Sequence, residues 1–123
     1  VAPLPSLVER LPEGFVVTDG DGLVLEANRA FLDLAGLPTA GAAAGRGLGE
    51  WLGRTAADFG ALLASVARHG TVGGVPSLVR GAYGAEEMVE VSAVGLVEQA
   101  APRIGFLVRA DRRRLAAAGG SEL

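Results

Sequence analysis

Residues 14–31, GFVVTDGDGLVLEANRAF, constrain the fold more than any other stretch because they read as two strands joined by a tight turn. Side chains alternate with a period of two, as in strands that bury one face. The turn Asp19-Gly20-Asp21-Gly22 has glycines for positive φ and aspartates that bond nearby backbone amides. The pattern predicts a β-hairpin. We expect its buried face to carry Phe15, Val17, Leu23, Leu25 and Ala27, with Val16, Thr18, Val24 and Glu26 on the opposite face.

A helix is predicted directly after the hairpin. The side chain of Asn28 can accept from the unpaired amides of a first helical turn. Phe31, Leu34 and Ala35 then form an apolar stripe, and Gly36 is suited to end the helix.

The segment before the hairpin predicts a short amphipathic helix over residues 3–10. Leu4, Leu7 and Val8 have helical spacing, and Pro12 stops the pattern. A helix of this length does not persist alone in water because nucleation is costly. Its apolar face must therefore pack on this domain or on a partner.

A longer helix is predicted over Thr55–His69, after a glycine- and alanine-rich region at residues 37–53. Thr55 and Asp58 have the spacing of a capping box, and Gly70 suits the end of the helix. Apolar residues recur at i, i+3, i+4 and i+7, namely Phe59, Leu62, Leu63 and Val66. We expect this helix to lie across a sheet.

Three further strands are predicted after Gly70. The first, around residues 72–79, contains Gly73-Gly74 and Pro76, which favour a bulged or edge strand. The other two alternate cleanly and are expected to point Val89, Val91, Ala93, Ile104, Phe106 and Val108 into the core.

The hairpin and helix start resemble the PAS sensory domain family. The resemblance rests on Asp19-Gly20-Asp21-Gly22, on Asn28-Arg29-Ala30-Phe31 and on the order of elements across residues 3–111. Residues 81–96, GAYGAEEMVEVSAVGL, are most similar to the PAS repeats of PpsR/CrtJ-type repressors of photosynthesis genes. The resemblance implies an α+β fold: a PAS-like five-stranded antiparallel sheet with helices on one face and an N-terminal amphipathic helix. The expected parts are a cap helix (1–12), the PAS-like domain (13–110) and a linker or connecting helix (111–123).

Composition excludes several kinds of chemistry. The chain has no cysteine and no lysine, and His69 is its only histidine, so disulfides, thiolate chemistry and lysine-dependent phosphate loops are absent. Haem-binding PAS domains carry a proximal histidine nearer the start of the long helix, where this chain has Asp58 and Phe59. We therefore expect no cofactor (no haem, flavin or metal) and no enzymatic activity.

The net charge of −3 lacks the basic surface of a nucleic-acid-binding domain. We expect no direct nucleic-acid contact, no membrane span and a cytoplasmic location. The chain begins with Val1, which suggests a piece of a longer protein.

Two functions remain open from the sequence. We favour a sensory and protein-interaction module that forms a homodimer within a larger signalling or transcription-regulatory protein and works with that protein's other domains. Its dimer interface is expected to contain Leu4, Leu7, Val8, Val16, Val24 and Leu107. The alternative is a small-molecule sensor with a ligand between the long helix and the sheet. Phe31, Trp51, Phe59, Leu62, Val91 and Phe106 would line that pocket or fill the core.

Overall fold

Five strands form one antiparallel sheet in a computed structural model, which describes residues 6–81, 84–98 and 101–110. The strands are β1 (Gly14–Asp19), β2 (Val24–Ala27), β3 (Thr71–Arg80), β4 (Glu86–Glu98) and β5 (Ala101–Ala110). Their order across the sheet is β2-β1-β5-β4-β3. This architecture confirms the predicted α+β fold and the predicted hairpin.

Two helices cover one face of the sheet. They are α2 (Arg29–Ala35) and α3 (Ala56–His69), and two short 3₁₀ helices, Ala40–Ala42 and Leu48–Glu50, lie between them. The predicted caps are confirmed. The side chain of Asn28 accepts from the Phe31 amide at 3.1 Å, and the side chain of Thr55 accepts from the Asp58 amide at 3.1 Å. Local sequence therefore sets where both helices begin.

The N-terminal segment is described only from Ser6 onward. Residues Ser6–Glu9 form one helical turn, α1. Leu4 and the side chain of Leu7 lie outside the described residues, so the longer amphipathic helix stays a prediction.

The predicted facing of the hairpin is wrong for most of its residues, although Ala27 is a core residue as predicted. Val16 and Val24 are core residues, 0% and 1% exposed, whereas Leu23 and Leu25 are exposed. Phe15 points to the other face, where its ring lies over Gly105. Their positions also remove Val16 and Val24 from the expected dimer interface, because neither side chain reaches the outer face.

The physical reason is that β1 is an inner strand with apolar side chains on both faces. Alternation shows which residues share a face but does not identify the face that the helices cover. A register shift between Val17 and Thr18 also interrupts the regular pairing of residues along the hairpin, so Thr18 pairs with Val24. Thr18 is fully buried, and its hydroxyl is satisfied there because it donates to the Asp19 carbonyl at 2.8 Å.

Loops cover part of each sheet edge. On the β2 side, the Val24 amide donates to the Arg46 carbonyl at 2.8 Å. On the β3 side, the Gly53 amide donates to the Leu78 carbonyl at 2.9 Å, and the Arg80 amide donates to the Trp51 carbonyl at 2.7 Å. The register of β3 shifts between Val72 and Val75, which confirms the predicted bulged edge strand.

The core lies between the inner face of the sheet and α2, α3 and the 3₁₀ segments. Phe31, Leu48, Leu52, Val89, Val91, Phe106 and Val108 are all fully buried there. The inward facing predicted for β4 and β5 is therefore confirmed.

Replacing Leu62 with alanine is expected to destabilise the domain by about 2–5 kcal/mol, since Leu62 is buried between α3 and the sheet. Chemical denaturation measures the change. Ala64→Gly on the exposed side of α3 is a control for helix propensity and is expected to cost only about 1 kcal/mol. Equal midpoints for Leu62→Ala and wild type would contradict the packing of α3 on the sheet.

Candidate functional site

A cleft of about 410 Å³ opens between α3 and β3. Its walls are mainly apolar because inward-facing residues of α3, β3 and β4 meet there with the loop before α3. The apolar lining includes Leu52, Phe59, Leu62, Val72, Val75 and Val91. The polar lining includes Arg54, Asp58, Ser65 and Ser77. This arrangement suits a small, mostly apolar molecule with a few polar groups.

The structure separates the six predicted pocket residues into two groups. Phe59, Leu62 and Val91 line the cleft. Phe31 and Trp51 instead pack edge to face in the core, with ring centroids 6.3 Å apart and an interplanar angle of 79°. The ring of Phe106 lies behind Phe59 at 6.0 Å between centroids.

Arg80 fixes the loop that forms one wall of the cleft, a role that sequence reasoning missed. Its guanidinium donates to the carbonyl of Gly49 at 2.9 Å, to that of Glu50 at 3.3 Å and to that of Gly53. The acceptors lie about thirty residues earlier in the chain, so no local motif marks this residue. The arginine ties residues 49–53 to the edge of β3.

Polar atoms in the core are already satisfied. Thr18 and Asn28 are the buried polar residues of the described chain, and no buried side-chain nitrogen or oxygen in it lacks a hydrogen-bond partner. The described core therefore has no unpaired buried side-chain polar atom available to orient a ligand.

The hairpin turn is held by its own carboxylate. The Asp19 side chain accepts from the amides of Asp21 at 2.9 Å and Leu23 at 3.0 Å.

Within residues 6–81, 84–98 and 101–110, no group of three or more histidine or acidic side chains could hold a metal ion. None of the helices described there is long and apolar enough to cross a membrane.

The second candidate site is the outer sheet face, the side of the sheet opposite α2 and α3. It contains Phe15, Val17, Val94, Gly105 and Leu107. Val94 is 41% exposed, and Leu107 and Phe15 are partly exposed. Of the predicted interface residues, Leu107 lies on this face and Val8 is half-buried near the N-terminus.

Comparison with known proteins agrees with this architecture. Residues 6–69, just over half of the chain, match the PAS domain family. Protein CrtJ of Rhodobacter capsulatus is 31% identical over 97 residues, which cover 79% of this chain and 21% of CrtJ. The chain thus spans about a fifth of the length of that relative.

Two solved structures show the same fold. The PAS domain of an HTR-like protein from Haloarcula marismortui is 24% identical with a TM-score of 0.70, covering 85% of this chain and 86% of that one. The VqmA dimer of Vibrio cholerae is 21% identical with a TM-score of 0.67, covering 85% of this chain and 50% of that one.

This chain belongs to the PAS domain family. Its similarity to CrtJ confirms the narrower resemblance to PpsR/CrtJ-type proteins that the sequence predicts. It is accordingly a PAS domain of the kind found in sensor and regulatory proteins.

The purified domain is expected to carry no haem, flavin or metal, and this stays a prediction. His69 is exposed at the end of α3 and is not among the residues that line the cleft. An absorbance spectrum from 300 to 700 nm, roughly the range of haem and flavin bands, together with metal analysis after dialysis, tests it. A visible band or a stoichiometric metal that survives dialysis would overturn the expectation.

Proposed function

We propose that this PAS domain is a dimerising, signal-transmitting module of a larger transcription regulator. The observation that carries the proposal is the apolar outer sheet face. Both longer helices pack on the inner face, so side chains such as Val94 and Leu107 retain exposed apolar surface. Exposed apolar side chains on an otherwise uncovered sheet face are typical of an interaction site.

A second copy of the domain suits this surface. A two-fold pairing uses the same patch twice, so one apolar face is enough to form the contact. The ion pair between Arg109 and Glu90, at 2.5 Å, lies along the same strands and gives the patch a charged border. An apolar centre with a polar rim is the usual layout of a protein interface.

The relatives support the proposal. CrtJ is similar in sequence to this chain. A regulator of that kind would supply the effector domains that this chain works with. VqmA, which shares the fold, is described as a dimer. We extend dimerisation to this chain on the basis of its own outer face.

Sedimentation velocity at micromolar concentration tests the dimer. The wild-type domain is expected to sediment as a dimer, and the double variant Val94→Glu, Leu107→Glu as a monomer. Two charges on each copy would be desolvated and would face like charges across the pairing axis, which weakens binding by at least about tenfold.

A matched control places two glutamates elsewhere. Ala64→Glu with Ala67→Glu changes the charge equally on the exposed side of α3 and is expected to leave the dimer intact. A monomeric wild type, or a dimer that persists in the Val94, Leu107 variant, would refute this interface.

A second candidate function, small-molecule sensing, is favoured by the cleft between α3 and β3. The cleft volume of about 410 Å³ lies within the usual size range of small-molecule sites. We place the ligand there, beside Phe59, Leu62 and Val91. The interaction module remains the favoured function because the buried polar atoms described above are already paired.

Three further expectations complete the proposal. A net charge of −3 without lysine argues that DNA contact belongs to another part of the regulator. Signalling by binding needs no catalytic group, so we propose no enzymatic role for this domain. The cytoplasmic location stays a prediction.

A further inference from the structure

The ring of Phe59 separates the cleft from the interior. Phe59 is 8% exposed and lines the cleft with one part of its side chain. The ring also packs against Phe106, 6.0 Å away between centroids with an interplanar angle of 31°. A change in the position of this one side chain therefore alters how deep the cleft reaches.

Two glycines form a wall along one edge of the ring. A Cβ on Gly22 would lie 2.7 Å from Cε2 of Phe59, and a Cβ on Gly49 would lie 2.9 Å from its Cδ2. Both distances are shorter than real Cβ contacts. The space that holds the ring is thus bounded on this side by backbone, and it has room for a flat ring only because neither wall residue has a side chain. We call this space the ring slot.

We propose that Phe59 is a movable partition, and that the cleft and the ring slot join to bind one small uncharged aromatic ring when Phe59 turns outward. The inference rests on the second candidate function above and specifies its ligand. The ring slot already holds a benzene ring, so its dimensions suit a ligand of the same shape. Because the buried polar side-chain atoms of the described core are all paired, an uncharged apolar ring leaves none of them unsatisfied.

The position of Phe59 permits this movement. It lies in the first turn of α3. Its amide donates to the carbonyl oxygen of Thr55 at 3.3 Å, which is a long hydrogen bond. Terminal turns open more readily than helix centres. The cleft in front of the ring provides space into which the side chain can turn.

The partition reduces the apparent affinity of the wild-type domain. In the open state the Phe59 side chain is turned outward. A ligand that binds only this state has an apparent affinity equal to its intrinsic affinity multiplied by the fraction of open molecules. If that fraction is about 1–10%, removal of the ring strengthens binding by about tenfold to a hundredfold. The ring slot without its phenyl ring is an apolar cavity, and apolar cavities of this kind accept aromatic guests.

Toluene is the probe, and binding is measured by amide chemical shifts in titrations of the full 123-residue chain. In the wild type, toluene is expected to shift the amides of Gly22 and Gly49 together with cleft amides such as Val72. Phe59→Ala is expected to bind toluene at least about tenfold more tightly than wild type. Phe59→Leu, a milder change, serves if Phe59→Ala does not fold.

Two matched variants make the result specific. Val66→Ala removes buried volume from the same helix away from the cleft lining, and is expected to bind toluene as the wild type does. Gly49→Ala in the Phe59→Ala background puts a methyl into the ring slot and is expected to reverse most of the gain.

Three outcomes would overturn the partition. They are no gain in Phe59→Ala and Phe59→Leu, an equal gain in Val66→Ala, and toluene shifts confined to cleft amides without change at Gly22 and Gly49. The last result would leave the cleft as a ligand site and remove only the role of Phe59. Absence of toluene shifts in every variant would remove the ligand site as well, and the dimer measured by sedimentation would be unaffected.

Discussion

Asn28→Ala is expected to lower the free energy of unfolding by about 3–5 kcal/mol, because it leaves four buried or partly buried backbone groups without this partner. Asn28 is 0% exposed, and its Oδ1 accepts from the amides of Phe15 at 2.8 Å and Phe31 at 3.1 Å. Its Nδ2 donates to the carbonyls of Val8 at 2.9 Å and Glu13 at 3.0 Å. One amide side chain thus joins the N-terminal segment, β1 and α2.

The expected loss is a large part of the total stability of a domain of this size, which is about 5–15 kcal/mol. Chemical denaturation measures it. Asp33→Ala is the control, since Asp33 is exposed on the same helix and its ion pair with Arg29 is a surface pair worth at most about 1 kcal/mol. A loss for Asn28→Ala no larger than that of the control would contradict the role assigned to this amide.

Asn28 also shows how far local sequence reasoning extends. The bond to Phe31 is a helix cap between residues three apart, and the sequence predicts it from residue type and position. The bonds to Phe15, Val8 and Glu13 join residues 13 to 20 positions apart. Such contacts depend on how the elements pack, which no local pattern contains.

The same distinction explains the hairpin. Period-two alternation and turn chemistry predict both strands correctly, because these are properties of neighbouring residues. The choice of buried face depends on which side the helices cover, and in β1 both faces are apolar. Thr18 is a polar residue on the buried face, and its hydroxyl is satisfied by the carbonyl of the next residue. Polarity alone therefore indicates the wrong face there.

The cleft was predicted only in outline. Placing a ligand space between the long helix and the sheet follows from the expected packing, and Phe59, Leu62 and Val91 do line the cleft. Its remaining walls depend on the loop held by Arg80 and on the bulged edge strand. A glycine-rich loop has few intrinsic preferences, so long-range hydrogen bonds determine its position.

Gly22→Ala is the second substitution with a large expected effect, about 2–5 kcal/mol of destabilisation from two independent causes. Gly22 has φ +87°, a left-handed conformation that costs other residues about 1–2 kcal/mol. Its added methyl would also lie 2.7 Å from Cε2 of Phe59, which forces the ring to shift in a packed core.

Gly45→Ala separates the two causes. Gly45 has φ +79°, and a Cβ built there meets nothing within 4 Å. It therefore carries the backbone strain without the clash, and its expected cost is about 1–2 kcal/mol. The difference between the two variants, measured by chemical denaturation, gives the cost of displacing the Phe59 ring.

A double-mutant cycle with Phe59→Ala tests the same contact from the other side. Once the ring is removed, the methyl of Gly22→Ala has space, so the double variant should be less destabilised than the sum of the single variants by about 1–3 kcal/mol. Additive costs, or equal costs for Gly22→Ala and Gly45→Ala, would show that the ring does not rest against Gly22. Because the ring slot is defined by that contact, the cycle tests the geometry of the proposed partition without any ligand.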